Sequence, residues 1–327
     1  MTSKFKPLLL ACAAASALSV GAPARSQGFP DRPIALVVPF AAGGPTDVVA
    51  RMIAIPMGKA LGQTVMIENT VGAGGTIAAT KVARATPNGY TIFIHHMGMS
   101  TAPALYKKLS FDPLKDYEYI GQVVDVPMTL LARKDLPPTN FPGLAAYLKA
   151  NGNKVSLANA GLGAVSHLCG LLFMSQMGVE LNTIPYSGTG PAMNALLGGQ
   201  VDLLCDQTTQ TVPMIKDGRV KVYGVTTLKR LSALPNVPTL SEQGLKGFEV
   251  KVWHGMYAPR GHTRPDSGKT QRRFACSDAR PGDQTAAGRV EFRHSAHGQD
   301  YASRTQDPPG SGDQQMGSGH QKSRHLC

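Results

Sequence analysis

Residues 39–47, Pro-Phe-Ala-Ala-Gly-Gly-Pro-Thr-Asp, follow an apolar run and open a helix-like stretch, a layout suited to holding an anion. The small side chains of Ala41, Ala42, Gly43 and Gly44 let the backbone approach a ligand closely, and the N–H groups of a first helical turn attract negative charge. Asp47 lies in that first turn and complements the helix dipole. Residues 160–167, Ala-Gly-Leu-Gly-Ala-Val-Ser-His, repeat the layout: strand, small flexible loop, helix start. Two such loops at the carboxyl ends of strands predict a shared cleft. Ser166 beside His167 raises a nucleophile and base, but neighbours on a helix point about 100° apart, so Ser166 is read as a cap and His167 as a packing or ligand contact. Loops 69–76 and 186–192 also precede helices and could complete the cleft. GAGGT within 72–76 lacks the spacing of a dinucleotide fingerprint. His95, His96 and His254 have no partners at metal-ligand spacing, so neither a metal nor a cofactor is expected.

The elements that position these loops alternate. Strands are predicted at 34–40, 64–68 and 90–96, with helices at 46–62 and 75–85 between them. After two strand-like runs, YEYIGQVV and PMTLLARKD, a second series follows: helix 141–150, strand KVSLANA, helix 164–177, strand LNTIPY, helix 191–199, then the strands VDLLCD and VKVYGVT. Such alternation implies parallel pairing with helices on both faces of each sheet, and two series joined by crossing strands describe a two-lobed α/β protein. The run 248–259 returns the chain to the first lobe, which gives 27–125 with 245–261 as one lobe and 126–244 as the other.

The 327 residues carry a net charge of +12, but 1–26 and 262–327 contribute +3 each and 27–261 only +6, with no basic stripe interleaved with aromatics. That thin field suits a small anion and gives no footprint for nucleic acid. Lys4 and Lys6, the apolar run from Pro7 to about Ala22 and the small residues at Ala22-Pro23-Ala24 and Ser26 have the layout of a secretory signal peptide over 1–26, which places the protein in the periplasm. Cys169 and Cys205 lack CxxC spacing and sit beside leucines; a disulfide is open to an exported chain, but the expectation is two small buried hydrophobes. Beyond Gly261 the composition changes abruptly. The last 66 residues hold one Leu, one Val, no Ile and no Trp, too little apolar surface to offset chain entropy, so an unstructured tail is expected.

Taken together, FPDRPIALVVPFAAGGPTDVVAR, VMIENTVGAGGTIAA, NGYTIFI, PALYKKLSFDPLKDYEYIG, ANAGLGAVSHL, IPYSGTGPAMNALLGGQVDLLCD and VPTLSEQG resemble the periplasmic receptors of tripartite tricarboxylate transporters, the Bug receptors, over 28–261. The resemblance implies a Venus-flytrap periplasmic binding protein and not an enzyme: a monomer that captures a small carboxylated metabolite for membrane subunits encoded elsewhere. It also implies that backbone N–H groups, small hydroxyls and bridging waters hold the ligand. The ligand-binding set is then Phe40, Ala41, Ala42, Gly43, Gly44, Thr46, Asp47, Gly161, Gly163, Ala164, Ser166, His167, Ser187, Gly188 and Asp206. HHMGMSTAPALY departs from the family pattern, and 262–327 departs entirely. Read one base late, codons for His262 to Ala275 permit TPAPIVEKLNAAL, like the missing family helix. The single Met codon at Met316, followed by the G of a Gly317 codon, forces a shifted tryptophan, and the codons after it permit GPVIKKAGTY. The tail is therefore expected to be a one-base frameshift near Gly261, of a receptor or of its decayed, misfolded product. A hydrolase using Ser166 and His167 is the remaining alternative.

Overall fold

The computed structural model describes residues 28–261; the readings of 1–26 as a signal peptide and of 262–327 as an out-of-frame tail lie outside these residues. The first series folds as β1 (Ile34–Val38), α1 (Pro45–Leu61), β2 (Val65–Asn69), α2 (Thr76–Ala83), β3 (Thr91–His96) and α3 (Gly98–Leu105). Alternation of the strand side chains decides the layering. Ile34, Leu36 and Val38 of β1 pack with Val49, Ala50, Ile53 and Met57 of α1, whereas Val37 points the other way, into Ala78, Ala79 and Val82 of α2 and Phe93. Helices thus cover both faces of this sheet, as expected for buried parallel strands. Pro45 supplies a preset φ to the first turn of α1, and Gly62 closes it in the left-handed conformation with its N–H on the Gly58 carbonyl.

The long strand β4 (Tyr117–Arg133) leads into α4 (Phe141–Asn151), β5 (Ser156–Asn159), α5 (Val165–Met177), β6 (Asn182–Pro185), α6 (Thr189–Leu197), β7 (Leu203–Gln207), α7 (Thr208–Lys216), β8 (Val220–Val225) and β9 (Lys251–Pro259). Strands run in the order β2-β1-β3-β9-β4-β7-β5-β6, with β8 also on β4. The two expected runs YEYIGQVV and PMTLLARKD are one continuous strand. Its first part pairs with β9, Tyr117 to Pro127 against Pro259 to Lys251, and its end pairs with β7 and β8. β4 therefore joins the two lobes. Pairing is parallel within each series and antiparallel wherever β4 or β9 takes part, because crossing strands return against the direction of the series.

At the waist, Thr226 bonds both crossing segments. Met128 N–H donates to its Oγ1 at 3.0 Å, and the same hydroxyl donates to the Val250 carbonyl at 2.6 Å. Two helices were not among those expected, α3 and α7, which are eight and nine residues long with Pro103 and Pro213 inside them. The expectation for the cysteines is corrected: Cys169 and Cys205 are buried but joined in a disulfide. Cys169 lies on the inner face of α5 and Cys205 on β7 beneath it, so burial itself brings the two sulfurs together. Among the described residues no helix is long and apolar enough to cross a membrane.

Candidate functional site

The loop after β1 and the loop after β5 face each other across the cleft between the lobes. Each also meets another loop across the cleft at glycines, the loop after β1 with the start of α6 and the loop after β5 with the loop after β2. A Cβ on Gly190 would lie 3.2 Å from the Gly44 nitrogen, and one on Gly161 would lie 3.2 Å from the Gly74 nitrogen, closer than side chains ordinarily pack. Ala41 N–H crosses the cleft to the Ser187 carbonyl at 3.2 Å. The Tyr106 hydroxyl, at the end of α3, is 2.7 Å from both the Ala73 carbonyl of its own lobe and the Leu162 carbonyl of the other.

Each loop is braced differently. In the first, Asp47 is buried and both oxygens accept two bonds each: Gly43 N–H and Arg51 Nε donate to Oδ2 at 2.9 and 2.8 Å, and Asn69 Nδ2 and Arg51 Nη2 donate to Oδ1 at 3.0 and 3.1 Å. Burial acts to raise its carboxyl, but Arg51, the Gly43 N–H and Asn69 together hold it below the ordinary value. Asp47 therefore shapes the loop and has no oxygen to spare for a ligand. Behind the loop, Phe40 stacks on His96 at 4.9 Å, and Thr46 Oγ1 is joined to His254 Nε2 at 3.2 Å. His96 N–H donates to His95 Nδ1, and Gly98 N–H donates to His96 Nδ1. Burial pushes His95 and His254 down to about 3 and His96 well below its usual value, so all three rings are neutral. Sequence spacing set these histidines aside as metal ligands, and the pairing of β3 with β9 brings them together as a wall. Among the described residues no cluster suited to a metal is present.

In the second loop the helix cap is Ala164, which has no side-chain bond, so the reading of Ser166 as the cap is corrected. Ser166 sits two positions into α5 and its Oγ accepts the Ala160 N–H at 2.9 Å, while His167 Nδ1 accepts the Gly163 N–H at 3.4 Å. The two side chains are tied to different points of the loop. Burial lowers the His167 pKa. Asn159 Oδ1 accepts the Gly161 N–H at 2.8 Å, completing a support made of neutral groups.

Two adjoining spaces separate the loops, with Phe40 and Ala160 common to both. The outer one, of about 320 Å³, is bordered by Gly72 to Gly75, Tyr106, Gly161, Leu162, Tyr186 and Ser187. The inner one, of about 20 Å³, is bordered by Gly44, Thr46, His96, Ala164, Ser166, Thr189, Asp206 and Gln207. No lysine or arginine borders either space. The starts of α1, α5, α6 and α7 meet at the inner chamber, and their first turns carry N–H groups that no helical carbonyl satisfies. Of the residues read from sequence, Phe40, Gly44, Thr46, Ala164, Ser166 and Asp206 border the inner chamber and Gly161 and Ser187 the outer one. Gly188 backs onto Ala41, and Gly163 lies against Leu105. Ala42 and Gly43 are exposed and border neither. Tyr106, Thr189, Gln207 and the histidine wall were not in that set; the wall depends on the long-range pairing of β3 with β9, which local pattern does not carry.

Asp206 is fully buried, and neither carboxylate oxygen has a hydrogen-bond partner of full geometry. Burial raises its carboxyl to about 7, with smaller opposing effects from the Gln207 N–H and the Thr189 hydroxyl nearby. Gln207 Oε1 is likewise buried without a partner.

Two α/β lobes on shared strands, with facing loops at the carboxyl ends of β1 and β5, define a ligand receptor of the periplasmic binding-protein class. Residues 49–276 match the model of the tripartite tricarboxylate transporter family receptor, and the chain belongs to that family. It is 46% identical to the UPF0065 protein in the TAR-I ttuE-ttuC' intergenic region of Agrobacterium vitis, over 73% of this chain and 69% of that protein. Among solved structures it is similar to the periplasmic binding protein BugD, at 56% identity and a TM-score of 0.75, covering 77% of this chain and 85% of that one. It is also similar to MatC from Rhodopseudomonas palustris with bound malate, at 44% identity and a TM-score of 0.73, covering 76% and 85%.

Proposed function

We propose that this protein is an extracytoplasmic receptor that captures a small carboxylated metabolite in the cleft and presents it to the membrane subunits of a tripartite tricarboxylate-type transporter. The observation that carries the reading is the meeting of four helix starts, α1 of the first lobe and α5, α6 and α7 of the second, at a chamber bordered by hydroxyls and amides but by no lysine or arginine. Such a site neutralises a carboxylate with oriented N–H dipoles, and closure of the lobes over it excludes water. The similarity to a malate-bound relative supports the ligand class, and the family supports the transporter. Phe40, Gly44, Thr46, Ala164, Ser166 and Thr189 are assigned to the ligand's carboxylate end, and the outer space to its body.

Thermal unfolding of the full chain with malate, succinate and adipate tests the reading. A single cooperative transition whose midpoint rises with at least one acid is expected, by mass action on the folded state; no shift with any of them refutes it. Export through residues 1–26 predicts a processed chain in the periplasmic fraction. The frameshift belongs to the same proposal: the coding DNA across codons 258–264 is expected to carry a one-base change relative to relatives' genes, and an uninterrupted shared frame there removes it.

A further inference from the structure

The inner chamber holds an acid where the proposed ligand is also an acid. Asp206 is fully buried, neither oxygen has a hydrogen bond of full geometry although the Gln207 N–H and the Thr189 hydroxyl lie nearby, and it borders the same chamber as Thr46, Ser166 and Thr189 at the helix starts. The groups around it supply no compensating charge. On its own sheet, β5 and α6 carry no titratable side chain. α5 contributes His167 and the disulfide, and α7 has only Lys216 at its far end. Arg133 of β4 is engaged with Asp202 at the other end of the β7 segment. Across the chamber stand His96, with His254 behind it, and Asp47 is already satisfied by Arg51 and Asn69. The imidazoles are neutral because burial holds them so. An anion drawn to the four helix starts would therefore meet a second carboxyl with nothing between them, and two carboxylates in one dry site do not both stay ionised.

Resting on the carboxylate reading above, we propose that Asp206 binds as the neutral acid, donating its O–H to a carboxylate oxygen of the ligand, so that the receptor takes up one proton from solvent for each ligand captured. Asp206 is then the specificity-determining residue of the cleft. It accepts the ionised carboxylate only with a solvent-derived proton on its own carboxyl, so that the closed site holds one negative charge in place of two. Burial already lifts its carboxyl to about 7, which brings the coupling within the neutral range; a neighbouring ligand anion lifts it further. The sign follows from linkage. Affinity is complete at pH values below the free-state value and falls as pH rises above it, approaching a tenfold loss per unit.

The test is titration calorimetry of the full chain with malate between about pH 6.5 and 8.5, where malate itself is ionised, in pairs of buffers with different ionisation enthalpies. Proton uptake near about one per malate is expected at the alkaline end and a small fraction at the acid end, with Kd weakening nearly tenfold over the last unit. Asp206→Asn is expected to show no uptake and a flat Kd. Binding by the wild-type chain without proton uptake, or affinity that strengthens with pH as an ionised Asp206 facing a ligand ammonium would give, overturns the proposal and leaves the carboxylate reading or its amino-acid variant standing. Uptake that persists in Asp206→Asn also overturns it. Should that variant not fold, an infrared band of a protonated carboxyl appearing when malate binds the wild-type chain at alkaline pH replaces it, and its absence counts against the proposal. If malate, succinate and adipate bind at no pH, the carboxylate reading itself fails and this inference with it.

Discussion

The two cleft loops share a backbone plan and differ in what holds them. The loop after β1 is secured by charge and aromatic rings: the Asp47, Arg51 and Asn69 knot and the Phe40 and histidine wall. The loop after β5 is secured by neutral bonds from Ser166 and Asn159, with the Cys169–Cys205 disulfide beneath it. The difference shows that the ligand-facing device is a property of the backbone, so it tolerates two unrelated sets of supports. It also gives the walls opposite pH habits, since one buries bases and the other an acid.

Removing the staple under the second loop should have the largest effect. The disulfide closes a separation of 36 residues, and Cys169→Ala with Cys205→Ala is expected to lower stability by about 4 kcal/mol in denaturant titration. The reduced wild-type chain should match the double variant. Asp206→Asn acts the other way. A carboxyl raised in the folded state costs stability as pH climbs from the unfolded value toward about 7, so the variant should be more stable than wild type by on the order of 3 kcal/mol at pH 8 and equal to it below about pH 4.

The first wall gives the mirror image. His95 and His254, held down at about 3 from 6.5, contribute stability that is whole above 6.5 and lost as pH falls toward 3. In the Asp206→Asn background, where the opposing carboxyl is absent, urea midpoints should fall between pH 7 and 5 by the equivalent of about 2 kcal/mol per imidazole. A flat profile would mean that the rings are not buried as described. Asp47→Ala should cost about 2 kcal/mol, since the Gly43 N–H and Asn69 lose an acceptor while Arg51, half-exposed, returns to water. Ser166→Ala should cost about 1 kcal/mol by orphaning the Ala160 N–H. If Asp47→Ala weakens malate binding no more than Ser166→Ala does, the two loops are supports of equal rank.

Much of the fold was legible because its signals are local. The unbroken apolar run 34–38 and the small residues at 41–44 and 161–164 point to strand, loop and helix start without reference to anything distant. α3 and α7 were not, since helices of eight and nine residues are held by tertiary packing more than by local pattern. The loops of the site were legible for the same local reason, but their supports were not. Asn69 reaches Asp47 across 22 residues, Thr46 meets His254 across 208, and the cysteines meet only once α5 lies on β7. That Asp206 is buried without a charged partner is a statement about its surroundings, which no single segment records.

Thr226 bears on how the molecule can move. Because one hydroxyl joins Met128 on the outward crossing to Val250 on the return, the two connections between the lobes cannot shear past each other without breaking bonds that are buried from water. What remains is rotation about a line through this point, so the lobes have one easy degree of freedom. Whatever a ligand does between the facing loops is then read at the far edges of the protein as an angle, with the waist as its fulcrum.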